Sequence, residues 1–423
     1  MRVVHQGTPE FDAHLRQLRR RGDADLERVE PAVREILAAV RAEGDAAVHR
    51  YTEKFDGRTP AIRLSDDRWR ELSAQVDEET RAALTTAAER ISAYHGRQRD
   101  DGFQYSEHGI TLGMRVRPVR AAGIYAPGGK ARYPSSVLMS VVPAKVAGVE
   151  RIVVCSPSAD PVTLAAAEIA GATELWDLGG AQAIAALAYG TETVEGVDTI
   201  VGPGNIYVAC AKRLVFGTVN IDQIAGPSEI LVVADDGARP DVIAADLLSQ
   251  AEHDEDAYAL LVTDSEALVE PVVREVERQL ALLSRQEIAK ASIRDNGAIF
   301  VTKNLAEAAR IADILAPEHL ALSVRDPEKL LEGISAAGAA FLGEHTPEAA
   351  GDYAAGPSHV LPTGGAARFG SPLGVYDFVV RTSLVRYSQA AIDAQGDLLE
   401  RLARLEGLEA HARAVAIRRS KNS

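Results

Sequence analysis

"RIVVCSPSADPVTLAAAEIAGATELWDLGGAQAIAALAYG", residues 151 to 190, sets two short apolar runs, "RIVVC" and "ELW", each before an Ala/Leu-rich segment of helical length. Strand-length runs alternating with helical patterns, with Gly and Pro at the corners, mark βα units that pack as a parallel sheet covered by helices. The alternation extends in both directions, through "DTIVGPGN", "EILVVAD", "AYALLVTD" and "GAIFVTKN". The chain therefore reads as α/β and doubly wound, with two α/β units parting near residue 228. Residues 1 to about 115 read as helices, from the spacing in "AVREILAAVRAEGDAAVHRYTEKF" and "EETRAALTTAAERISAYHGRQ". The tail "DLLERLARLEGLEAHARAVAIRRS" is apolar on one side and charged on the other, as a packing helix or an arm laid on a partner subunit is.

With 423 residues, 46% of them hydrophobic, the chain can bury large cores. Its formal charge of −15 argues against a phosphate-backbone partner, so no nucleic acid is expected. The start lacks the apolar core of a signal peptide, and no run of membrane-spanning length occurs, which predicts a soluble, cytoplasmic protein with no membrane partner. The two cysteines, Cys155 and Cys210, lie far apart inside apolar patterns and read as buried, inert thiols.

Three glycine-bearing loops at strand ends, "GIYAPGGKARYPSS" (123–136), "DLGGAQAIAALAYG" (177–190) and "TIVGPGNIYVACAKR" (199–213), point together at one ligand cleft. The third invites a dinucleotide, with Asp222 where a ribose-binding acid stands in such folds. The third glycine of the fingerprint is Tyr207, however, and a tight strand-to-helix turn explains the loop equally well. In "LLSQAEHDEDA", Gln250 and His253 are three apart and share a helix face; by spacing alone they are the polar end of a helix, and a metal needs further ligands. "TPEAAGDYAAGPSHVLPT" offers Asp352 and His359, and the tail offers Glu406 and His411. "DILAPEHLAL" sets Glu318 beside His319, a carboxylate and an imidazole suited to acid–base work, or simply the Pro-Glu opening of a helix. His5, His14, His49, His95 and His108 read as surface residues, and His345 as an ordinary loop residue.

Taken in order, "GIYAPGG", "GGAQAIAALAYGT", "IVGPGNIYVACAKR", "IAGPSE", "LLSQAEHD", "APEHL", "GDYAAGPSHVLPT" and "EGLEAHA" resemble histidinol dehydrogenase across essentially the whole chain. The resemblance implies a four-electron oxidation of L-histidinol to L-histidine via L-histidinaldehyde, the end of histidine biosynthesis, with NAD and one Zn2+ per subunit. It implies Gln250, His253, Asp352 and His411 as metal ligands that also meet substrate. His319 becomes the base for alcohol oxidation and Glu318 the activator of water for the aldehyde hydrate. Ser228, His359 and Glu406 become further substrate contacts, and Tyr125, Gln182 and Asn205 the NAD contacts. The implied domains are an N-terminal helical segment (1–22), an α/β domain from 23–120 and 228–372, a second, NAD-side domain (121–227), both incomplete and Rossmann-like, and a helical C-terminal dimerisation arm (373–423). In the implied homodimer that arm completes the partner's site. Two rivals remain at this point: a zinc hydrolase that acts without NAD, and a nucleotide-binding module indifferent to the proposed ligands.

Overall fold

A computed structural model describes residues 1–21, 26–59, 61–128 and 133–420. In chain order its strands are β1 (Arg2–His5), β2 (Phe103–Glu107), β3 (Ile110–Pro118), β4 (Ala121–Tyr125), β5 (Arg151–Cys155), β6 (Glu174–Trp176), β7 (Thr199–Val201), β8 (Asn220–Ile221), β9 (Glu229–Ala234), β10 (Tyr258–Thr263), β11 (Ala298–Val301), β12 (His319–Ser323), β13 (Ala339–Leu342) and β14 (Val379–Tyr387). The chain divides into two compact units, Met1–Gln98 with Arg120–Phe378, and Arg99–Val119 with Val379–Ser423.

The first unit holds two parallel sheets, as the βα alternation predicts. One has the order β6-β5-β4-β7-β8 and the other β1-β11-β10-β9-β12-β13. The change of sheet falls between β8 and β9, where the sequence placed the break. Strands such as "EILVVA" are buried at every position, because helices cover both faces and neither side can be polar. Helices Leu26–Glu43, Gly180–Tyr189 and Ile206–Val215 share the core of the first sheet. Pro240–Ala251 and Glu266–Leu280 pack on one face of the second, and Pro9–Leu18 and Leu305–Leu315 on the other. Asn205 and Asn304 cap two of these helices, each side chain accepting from backbone N–H groups in the first turn. Strand order reverses between β4 and β7 in one sheet and between β9 and β12 in the other.

The second unit is a three-stranded antiparallel sheet, β14-β3-β2, followed by helices Gln389–Leu405 and Glu409–Ala416. His108 and Gly109, both with positive φ (51° and 77°), make the two-residue turn between β2 and β3.

Three expectations change. The first 115 residues are not wholly helical: β2 and β3 begin the antiparallel sheet, and β1 adds a parallel edge strand beside β11. The C-terminal arm opens on β14 before its helices. These strands are mostly exposed or half-buried, so no regular apolar alternation announces them. His14 and His95 are buried rather than on the surface: His14 stacks on Phe300 with centroids 5.6 Å apart, and His95 Nδ1 bonds Gln98 Oε1 at 2.8 Å. Both cysteines are buried, and desolvation raises both thiol pKa values, as inert thiols require.

Candidate functional site

Two acid–base candidates stand where β12 begins. Glu318 is the last residue before the strand and His319 its first, and register pairs His319 with Ile230 of β9. The helix-opening alternative for Pro317–Glu318 is thus not realised. The preceding helix, Leu305–Leu315, closes on Ala316 in the left-handed region (φ 44°), and the chain then turns through Pro317 into the sheet. Gly338 lies so close to this corner that a Cβ would sit 2.5 Å from the Glu318 carbonyl oxygen, which excludes any side chain there.

Glu229, the first residue of β9, holds both groups through its main chain. Its N–H donates to Glu318 Oε2 at 2.8 Å, and its carbonyl accepts from His319 Nδ1 at 3.1 Å. That second bond assigns the ring proton to Nδ1 and leaves Nε2 as the lone-pair nitrogen, which is buried and has no hydrogen-bond partner. Burial pushes the His319 pKa down to about 3, so the ring is neutral at physiological pH and able to accept a proton. Burial, reinforced by the charges of Glu229, Glu348 and Asp352, pushes the Glu318 carboxyl well above the usual range.

His359 is fixed at both nitrogens. Nδ1 donates to the Asp352 carbonyl at 3.0 Å, and Nε2 accepts from Ser136 Oγ at 3.1 Å. Burial lowers its pKa to about 4. Asp352 Oδ1 lies 3.9 Å from His319 Nε2 and 3.8 Å from His359 Nδ1, with its own pKa raised by burial against the opposing pull of His253. Gln250 is buried with both ends of its amide lacking a partner, an arrangement that costs free energy unless a ligand takes them up. His253 does not share a helix face with Gln250. The helix Pro240–Ala251 has ended, and His253 occupies the turn beyond it, its N–H donating to the Gln250 carbonyl at 3.2 Å. His253 is solvent-accessible, yet surrounding protein still lowers its pKa, an effect that the nearby Asp352 carboxylate opposes. Among the described residues, His319, Glu348 and Asp352 also bring ligand atoms within 4.8 Å of one another. The first unit thus sets Asp352 beside His319 and within electrostatic reach of His253, which is bonded through its N–H to Gln250, and this N/O donor set is of the kind that fits a divalent metal.

Tyr125 is the last residue of β4, and Gln182 and Asn205 lie beyond the C-terminal ends of β6 and β7, so the three glycine loops do share one side of one sheet; residues 129–132 fall outside those described. Gly180 N donates to the Tyr125 hydroxyl at 3.1 Å, and the buried Gln182 Oε1 has no partner. Asp222 has a structural role instead of a ribose. It accepts from Gly202 N at 2.8 Å and pairs with buried Lys212, whose Nζ donates to the Gly202 carbonyl at 2.8 Å.

The histidinol dehydrogenase family profile matches residues 19–419. The chain belongs to the histidinol dehydrogenase family. Among curated relatives, histidinol dehydrogenase of Aquifex aeolicus is 51% identical over 413 residues, covering 97% of each chain. That of Bacillus subtilis is 50% identical over 96% of this chain and 97% of its own. The crystal structure of histidinol dehydrogenase from Elizabethkingia anophelis superposes with a TM-score of 0.93 at 35% identity, covering 99% of this chain and 98% of that one. Like the rest of the histidinol dehydrogenase family, the chain is an oxidoreductase.

Not every residue expected from the family resemblance lies in the first unit. Ser228 directly precedes Glu229 there, whereas Glu406 and His411 belong to the second unit and are exposed on it. Sequence reasoning missed Glu229, Glu348 and Arg21. Glu348 is buried, carries an unpartnered Oε1 3.7 Å from His319 Nδ1, and is pushed well above the ordinary carboxylate range by burial and by the charges of Asp352 and Asp246. Its only sequence signal was proximity to Asp352 in "TPEAAGDY".

Proposed function

We propose that the protein oxidises L-histidinol to L-histidine through L-histidinaldehyde, closing histidine biosynthesis in the cytoplasm. When bound, NAD would accept a hydride in each oxidation, and one Zn2+ per subunit would orient the substrate's nitrogens through Gln250, His253, Asp352 and His411. The observation that carries the reading is the pair at the start of β12: a neutral His319 with Nε2 free, beside a buried Glu318, both tethered to Glu229.

His319 Nε2 takes the alcohol proton as the C–H bond breaks, while its Nδ1–H stays on the Glu229 carbonyl and keeps the ring oriented. Glu318, in its ionised form, removes a proton from the water that attacks the aldehyde carbon, and its raised pKa makes it a stronger base for that step. Ser228, His359 and Glu406 hold the substrate. A site largely removed from water retains the reactive aldehyde between the two steps. The orphaned amide of Gln250 supports the metal assignment, because a buried unpartnered side chain is what an absent ligand would satisfy. Residues 121–227 take NAD, through Tyr125, Gln182 and Asn205.

Glu406 and His411 are assigned to the partner's site in a homodimer. The second unit supports this with apolar side chains left exposed on its helices and their flanks, Leu398, Leu402, Leu405, Leu408 and Ile417.

The test is NADH formed per L-histidinol consumed, before and after chelation. Two NADH per substrate, lost with the metal and restored by zinc, is the expected result. No NADH from histidinol by zinc- and NAD-loaded protein redirects the assignment to another amino alcohol, and hydrolysis without NAD overturns it. His253→Ala should fold yet fail to retain zinc; normal zinc content would remove His253 from the ligand set.

A further inference from the structure

Arg21 lies in the arginine-rich "RQLRRRGD", yet its side chain is buried at 2% exposure. Its three donor groups have three different targets. Nε meets Glu229 Oε2, Nη1 donates to the Leu18 carbonyl at 2.9 Å, and Nη2 donates to the Leu315 carbonyl at 2.7 Å. Leu315 closes the helix that leads through Ala316 and Pro317 to Glu318. The other carboxylate oxygen of Glu229 accepts from Gly364 N at 2.8 Å. One guanidinium thus spans the starts of two neighbouring strands, holding β9 at Glu229 and the corner before β12 at Leu315.

We infer that Arg21 and Glu229 are positioning residues that set the separation of the β9 and β12 starts and so aim Glu318 and His319 together. The inference rests on the proposed roles of those two groups. Neither Arg21 nor the Glu229 carboxylate is offered as a reacting group. Among the described residues, the Glu229 main chain is the sole hydrogen-bond partner of Glu318 Oε2 and of His319 Nδ1, so a shift of Glu229 moves both in concert. Chemistry is steep in such displacements, a misplacement of about 1 Å costing about 10²-fold in rate. Because one residue orients both groups, the two oxidations should fail together.

The experiment uses the zinc-loaded enzyme and measures kcat and KM separately for histidinol and for histidinaldehyde in Arg21→Lys, Glu229→Gln and the double variant Arg21→Met/Glu229→Met. The double variant guards against simple unfolding, since replacing a buried ion pair with apolar residues of similar size is commonly neutral or stabilising. The expected result is a loss in kcat of about 10²-fold for both substrates, with KM and zinc content within about twofold, in a double variant that melts like the wild type. Wild-type kcat in a stable double variant would overturn the inference, since the pair would then serve the fold alone. So would a loss confined to one oxidation. His319→Gln and Glu318→Gln run alongside separate the two readings: if neither lowers turnover, the catalytic assignment fails, and if both do while the Arg21 and Glu229 variants do not, the positioning inference fails.

Discussion

Acid should destabilise the metal-free protein through His359, and the size of the effect follows from its burial. The ring is neutral in the folded state, with a pKa lowered from 6.5 to about 4 by desolvation. Below pH 6.5 the unfolded chain binds a proton that the folded site refuses. Stability is therefore intact above 6.5, is lost as pH falls toward about 4, and levels off below it. At pH 5 the proton-binding factors for a pKa of 6.5 and of about 4 stand near 33 and 1.1, a difference of about 2 kcal/mol, growing to about 3.4 kcal/mol below both values. Glu318 and Glu348, with raised pKa values, act in the opposite sense: the stability they contribute is present below the ordinary carboxylate range and is lost as pH rises. They are common to wild type and variant and cancel in a difference. The assay is urea unfolding of chelator-stripped wild type and His359→Gln at pH 7.5 and pH 5. The wild type should lose about 2 kcal/mol more than the variant between the two. Equal losses would show that His359 is protonated in the fold, and the assignment of its Nε2 as acceptor from Ser136 would fail with it.

Glu318→Gln should retain histidinol oxidation better than histidinaldehyde oxidation, because only the second needs a water activated; equal loss in single-turnover measurements of each step counts against that role. Gly202→Ala should destabilise the protein by at least about 1–3 kcal/mol, since Gly202 has φ +110° and a Cβ there would lie 2.2 Å from the Tyr125 carbonyl oxygen. An unchanged melting temperature would show that the β4–β7 corner can relax, and that its tightness does not fix the proposed NAD loop.

The parallel sheets were legible because a strand covered on both faces must be apolar throughout, and "EILVVA" or "YALLVT" has no other reading between helical patterns. The antiparallel sheet was not. "VVRTSLVRY" has strand-forming residues, but with most of its side chains exposed nothing in their order marks an inner face. Gln250, His253, Asp352, His319 and His359 were legible as motif residues. Arg21 was hidden among arginines, where only the fold distinguishes a buried guanidinium from a solvated one. Glu229 stood in the quoted "IAGPSE", yet its contribution comes from backbone atoms, which carry no residue-type signal at all.

The two sheets carry their candidate site residues at opposite ends, and chain direction thereby sorts charge. Beyond the C-terminal ends of β4, β6 and β7, the helices Pro134–Ala147, Gly180–Tyr189 and Ile206–Val215 begin, presenting the partial positive charge of their dipoles. At the N-terminal ends of β9 and β12 the arrangement is reversed: Pro240–Ala251 finishes beside Gln250, and Leu305–Leu315 finishes before Glu318, each presenting carbonyls and partial negative charge. The proposed assignment matches this polarity, with a dinucleotide's phosphates on the positive flank and a metal cation on the negative one. This polarity is built from peptide dipoles alone, so it survives any exchange of surface lysines or acids and a net charge of −15.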